Sequence, residues 1–196
     1  MEVWQYIVDN RIETLAFVIS IAGIWLTAKE KILNWPVNIV ASGLYIYLFY
    51  MDALYGDAAL NGFFVVMCAY GWYEWVYGGK GHTELHVSNI TMRAAGLLTI
   101  LTLPMSFALG LILSHTKSTV PYWDGITTAL SLAATWMAAR KLIENWLVWI
   151  FTDIIYVVMY IIKELYITSV LYFIFILLAV YGYMEWKKQL TVKSAA

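Results

Sequence analysis

Residues 25–75 lie over residues 136–186 at a constant offset of 111, with no gap. Trp25 falls on Trp136, Asn34-Trp35 on Asn145-Trp146, Tyr45 on Tyr156, and Leu54-Tyr55 on Leu165-Tyr166. Tyr70-Gly71-x-x-Glu74-Trp75 recurs as Tyr181-Gly182-x-x-Glu185-Trp186. Whatever one copy folds into, the other must fold into as well. Both copies are strongly apolar, and duplicated hydrophobic units characterise secondary transporters, in which the substrate site forms where the repeats meet.

The apolar character settles the class. The chain is 62% hydrophobic and 13% charged, with a mean hydropathy of +0.72, where soluble domains average roughly 25% charged residues. No water-soluble fold could cover that much apolar surface, so a polytopic membrane protein is expected, with no room for a separate soluble domain. The net charge of −1 says little about partners. The single cysteine, Cys68, excludes an intrachain disulfide or a cysteine-based metal cluster and is read as a small packing residue. Residues 1–12 lack the basic start of a signal peptide.

A span needs about 20 mainly apolar residues. Seven such segments are present, at 13–30, 34–52, 57–79, 93–114, 119–139, 143–162 and 165–186. Asn34 is placed to N-cap the second, with Pro36 in its first turn. Pro104 should kink the fourth. The expected domains are a three-helix repeat over 1–79, a polar hinge and linker helix over 80–118, and a second three-helix repeat with its tail over 119–196. Corresponding helices are then an even number of crossings apart, so the copies run parallel and the odd helix inverts the chain between them. Lys and Arg divide nine to three. Lys29, Lys31, Lys80, Arg93, Arg140, Lys141, Lys187, Lys188 and Lys193 fall on one side, and Arg11, Lys117 and Lys163 on the other. The positive-inside rule puts the N-terminus outside and the C-terminus in the cytoplasm.

The sixth span carries the most informative polar residue. At about 100° per residue, Trp146, Trp149, Asp153, Tyr156 and Tyr160 share one helix face. A carboxylate at that depth costs at least about 2.5–3.5 kcal/mol unless paired or solvated. An acid among aromatic faces suits a flat organic cation; the competing reading is a carboxylate paired inside the bundle. The equivalent face of the second span holds Trp35, Asn38, Ser42, Tyr45 and Phe49, without the acid. Asn61 on the third span should face the bundle interior, for a helix–helix hydrogen bond or a ligand. The candidate substrate-binding residues are therefore Trp146, Trp149, Asp153, Tyr156, Asn38, Ser42, Tyr45 and Asn61.

Other features carry plainer readings. Trp35 and Trp146 stand at span starts, and Tyr70, Trp72, Trp75, Tyr181 and Trp186 near span ends, where interfacial belt residues collect. Glu74 and Glu185 are read as ion-pair partners and Asp124 as a helix cap; Asp52, Asp57, Lys163 and Glu164 are read as loop charges. His82, His86 and His115 lack the spacing of a metal site. No phosphate-binding loop, paired nucleophile and base, or nucleic-acid signature is visible, so no cofactor and no nucleic-acid partner are expected.

Three segments then decide the comparison with known families: WPVNIVASGLYIYLFYMDALYGDAALNGFFVVMCAYGWYEW, VPYWD at 120–124, and ENWLVWIFTDIIYVVMY. On these the chain resembles the PnuC family of bacterial vitamin transporters. The resemblance implies a full-length SWEET-like fold of 3+1+3 helices, a homotrimer in the bacterial inner membrane, and facilitated diffusion of a vitamin trapped afterwards by intracellular phosphorylation. It implies nicotinamide riboside as the principal substrate class, with relatives carrying thiamine or riboflavin. The chain departs from the riboside pattern twice: Asp153 stands where an Asn is usual, and Asn61 where a Gln is usual. An ionised Asp accepts but cannot donate, so it suits the aminopyrimidine and thiazolium of thiamine. Thiamine is therefore expected ahead of nicotinamide riboside. The rival classes are a non-transporting membrane receptor and an intramembrane enzyme.

Overall fold

The computed structural model describes residues 11–51, 55–116, 118–162, 164 and 166–194. Residues 1–10, Asp52, Leu54, Lys117, Lys163 and Leu165 lie outside the described residues; so does the terminus whose side of the membrane was inferred from charge. Seven α-helices are present among the described residues. They are α1 (Arg11–Ala28), α2 (Asn34–Met51), α3 (Tyr55–Tyr77), α4 (Met92–Ser114), α5 (Pro121–Ala139), α6 (Asn145–Ile162) and α7 (Tyr166–Ser194). The shortest, at 18 residues, spans about 27 Å at ~1.5 Å per residue, close to the hydrocarbon thickness of a bilayer. Among the described residues α4, α6 and Thr168–Thr191 of α7 are long and apolar enough to cross a membrane. α2, α3 and α5 have similar lengths but are rich in tyrosine, tryptophan, asparagine and threonine, which lower their mean hydropathy.

The chain divides into two compact units, Met1–Leu85 and His86–Ala196. In the first, α1 packs on α2 and α2 on α3. Gly23 of α1 makes that contact close, because a Cβ there would run into the Asn38 side chain of α2. In the second, α4 packs on α5, α5 on α6, and α6 on α7. The α4–α5 crossing is backbone on backbone: a Cβ on Gly125 would meet the Gly110 amide and the Ser106 carbonyl. α5 turns a row of small buried residues inward, including Gly125, Thr127, Ala129, Ser131, Ala133 and Ala134, which lets its neighbours approach closely. α4 runs on as helix through Pro104.

The duplication is visible in the turns. The turn after α1 holds Glu30 (φ 52°) and the turn after α5 holds Lys141 (φ 49°), both left-handed and 111 positions apart. Glu30 N–H donates to Thr27 O at 3.0 Å and Lys31 N–H to Leu26 O at 2.9 Å. In the second copy, Lys141 N–H donates to Ala138 O at 3.0 Å and Leu142 N–H to Met137 O at 2.9 Å. This is the Schellman pattern, in which a left-handed residue lets the chain return its N–H groups to the last helical carbonyls. The turn of the second unit also receives the 86–91 segment. Ser88 N–H donates to Lys141 O and Ile143 N–H to Ser88 O, each at 3.0 Å. Ile90 N–H donates to Glu144 Oε2 at 3.0 Å. Val87 is buried beneath this segment, and Thr91 then caps α4 by accepting from Ala94 N–H at 3.3 Å.

Two capping expectations are corrected. Asn34 does not cap with its oxygen. Its Nδ2 donates backward to Lys31 O at 2.8 Å, and Asn145 Nδ2 does the same to Leu142 O at 2.6 Å. A carbonyl can only accept, so the amide nitrogen must face it. Asp124 lies within the first turn of α5 rather than ahead of it. It accepts from Ser118 Oγ at 2.5 Å, and Ser118 Oγ accepts from Val120 N–H at 3.2 Å. The carboxylate thus acts through a serine and complements the positive end of the helix.

Candidate functional site

The second unit assembles an aromatic and acidic face on α6. Asp153 is 4% exposed and Trp146 2% exposed, while Trp149, Tyr156 and Tyr160 are half-buried. Thr152, beside Asp153, is fully buried and returns its hydroxyl to Val148 O at 2.8 Å. The i, i+4 spacing places Tyr156 over Tyr160, stacked at 6.1 Å with 20° between the rings. Tyr172 of α7 completes the cluster, 4.5 Å from Tyr156 and 5.3 Å from Tyr160 between centroids. Phe175 meets Tyr172 edge-on at 5.6 Å. Thr127 and Ser131 of α5 are neighbours of Tyr156. One side of α6 therefore carries a buried carboxylate followed by a wall of phenol rings. Chemically, that arrangement sets a buried carboxyl group beside aromatic rings, a combination that suits a planar ligand.

Sequence reasoning overlooked Tyr172. The repeat could have found it, since Tyr172 stands 111 positions after Asn61, a residue already singled out.

The first unit holds its candidates on α2 and α3. Asn38, Ser42, Tyr45 and Asn61 are all half-buried. Tyr45 stacks on Phe49 at 5.9 Å, the counterpart of the Tyr156–Tyr160 pair at the same offset of 111.

The belt reading fails at four tryptophans. Trp35 and Trp75 are buried and meet edge-to-face at 5.2 Å and 84°. Trp146 and Trp186 are buried and meet at 5.4 Å and 83°. A Cβ on Gly71 would run into the Trp35 ring, and one on Gly182 into the Trp146 ring. Trp72, at 41% exposure, keeps a surface position. Glu185 pairs with Lys188 at 2.6 Å as expected, and Glu74 is buried.

Comparison with known proteins places this geometry. A family model described as nicotinamide mononucleotide transporter matches residues 10–188. The chain belongs to that family. It is accordingly a transporter-family, multi-pass membrane protein and not an enzyme. The chain is 25% identical over 201 residues to the nicotinamide riboside transporter PnuC of Escherichia coli (strain K12), covering 89% of this chain and 84% of that one. It is 21% identical over 188 residues to the riboflavin/roseoflavin transporter RibM of Streptomyces davaonensis, covering 94% and 84%. The fold is similar to a crystal structure of the vitamin B3 transporter PnuC, with a TM-score of 0.72 at 24% identity over 95% of this chain and 86% of that one. Neither family relative is named for thiamine, so the lean toward thiamine drawn from Asp153 gains no support.

Proposed function

We propose that this protein is a facilitative carrier that takes up nicotinamide riboside, a nucleoside with a planar pyridinium ring. The observation that carries the reading is Asp153, buried on the α6 face that continues into stacked Tyr156 and Tyr160, in a chain matched by the family model over residues 10–188. The same features fit a riboside without strain. The Asp153 side chain can accept hydrogen bonds from the vicinal ribose hydroxyls. The half-buried Trp149 indole and the phenols supply π-faces for the flat cation. The name of the Escherichia coli relative points to the same substrate.

The wider reading keeps the parallel 3+1+3 plan, with α1–α3 and α5–α7 as the two copies and α4 as the inverting helix. The matched Schellman turns and tryptophan pairs support it. Asn38, Ser42, Tyr45 and Asn61 are the contribution proposed for the first copy. An outside N-terminus, a bacterial inner-membrane location, a homotrimer and trapping by intracellular phosphorylation belong to the same proposal, the first resting on the nine-to-three charge division.

Calorimetry on the purified protein tests the substrate. Riboside should bind saturably. Asp153→Asn, which keeps an acceptor, should hold affinity within about threefold, and Asp153→Ala should lose about tenfold or more. Tight thiamine binding abolished by Asp153→Asn, with no riboside binding, would reverse the assignment.

A further inference from the structure

We propose that Trp146 is a positioning residue rather than a substrate contact: with Gly182 and Trp186 it forms a lock that sets α6 against α7, and Trp35, Gly71 and Trp75 form the same lock between α2 and α3. The assignment to substrate positioning rests on the carrier reading; the lock itself does not.

Four observations converge on it. The Trp146 ring lies on Gly182, where an added Cβ would come within 2.6 Å of Cε2, Cζ2 and Cη2. Its edge is closed by the Trp186 ring at 5.4 Å and 83°. Its Nε1 is fully buried, so the indole's one polar atom is enclosed by this packing. The first unit then repeats the construction: the Trp35 ring lies on Gly71 and meets Trp75 at 5.2 Å and 84°, with its Nε1 buried as well. That unit lacks the carboxylate, having Ser42 where the second has Asp153. A feature built identically on an acid-bearing and an acid-free face answers to packing, not to the ligand.

The chain holds each tryptophan from its other side too. Each follows an asparagine whose amide nitrogen donates to the carbonyl three residues earlier, at 2.8 Å for Asn34 and 2.6 Å for Asn145. The start of α6 is thus fixed in rotation by the Asn145 tie and the Trp146 ring together. Trp149 comes one turn later and Asp153 two turns later, so their direction follows from that anchor. Trp149, half-buried, is the tryptophan left to meet a ligand.

The test uses the specific atoms involved. Phenylalanine has no atoms where the outer benzo ring of tryptophan lies, which is the part a Gly182 methyl would strike. Gly182→Ala should lower the melting temperature by about 5 °C or more and weaken riboside binding, although glycine offers no side chain to a ligand. Adding Trp146→Phe should restore much of both. Gly71→Ala with Trp35→Phe should show the same recovery in melting temperature. Trp149→Phe should instead weaken binding about tenfold with the melting temperature unchanged. A double variant that binds riboside more weakly than Gly182→Ala alone would make Trp146 a direct contact and overturn the positioning role. Additive melting-temperature losses in both units would overturn the lock. Absence of riboside binding in the unaltered protein would instead remove the carrier reading and with it the positioning role, leaving the lock to be judged on melting temperature.

Discussion

Glu30 and Lys141 hold left-handed backbone at φ 52° and 49°, a conformation that glycine adopts freely and other residues adopt at a cost of about 1 kcal/mol. Both sit at the Schellman position where glycine is usual. Glu30→Gly and Lys141→Gly should each stabilise the protein by roughly 0.5–1 kcal/mol, read as a rise in melting temperature of a few degrees. Destabilisation by either would mean that the side chain itself supports the turn. Asp153 is the other decisive residue. Its burial beside Thr152 and ahead of the phenol stack makes it costly to keep unless a cationic or hydrogen-bonding ligand uses it. Asp153→Leu should therefore leave the fold as stable or more stable while abolishing riboside binding, which thermal melting and calorimetry on one sample would show.

At the scale of elements, helix existence was readable and helix contacts were not. Runs of apolar sequence located all seven helices of the described residues, because length and hydropathy are properties of a segment alone. Which face of each helix turns inward depends on partners. Trp75 and Trp186 stand near helix ends, where a belt tryptophan and a core tryptophan look alike in sequence. The signal that separates them is Gly71 and Gly182, one turn earlier on the same face as each, leaving room for an indole from the neighbouring helix. Tyr172 escaped notice because its repeat counterpart is Asn61, so identity between the copies could not mark it. Asp153, by contrast, was legible because a carboxylate in an apolar span is conspicuous anywhere. Two predictions belong at this scale. Gly125→Ala would press a methyl onto the Gly110 and Ser106 backbone, which cannot yield as a side chain can; it should cost about 1–3 kcal/mol. Glu144→Ala would strand the Ile90 N–H that now donates to Glu144 Oε2. It should cost about 1–3 kcal/mol and speed proteolysis within 86–91, and Glu144→Gln, which keeps an acceptor, should restore protection.

For the whole molecule, the duplication explains why the two units share turns, asparagine ties and tryptophan pairs yet differ on the faces those devices orient. The shared parts hold helices together. The differing parts, Asn38 against Trp149, Ser42 against Asp153 and Asn61 against Tyr172, give the copies different chemistry, the difference on which the carrier proposal draws. Facilitated diffusion follows if that ligand crosses without ATP or an ion gradient. The decisive measurement is riboside flux into sealed liposomes containing the purified protein, with no nucleotide and no ion gradient. Saturable entry should stop when inside and outside concentrations match, accelerate when unlabelled riboside is preloaded inside, and fall about tenfold at sub-saturating riboside in Asp153→Ala. Entry no faster than in protein-free liposomes, or saturable entry of thiamine with none of riboside, would contradict the carrier proposal.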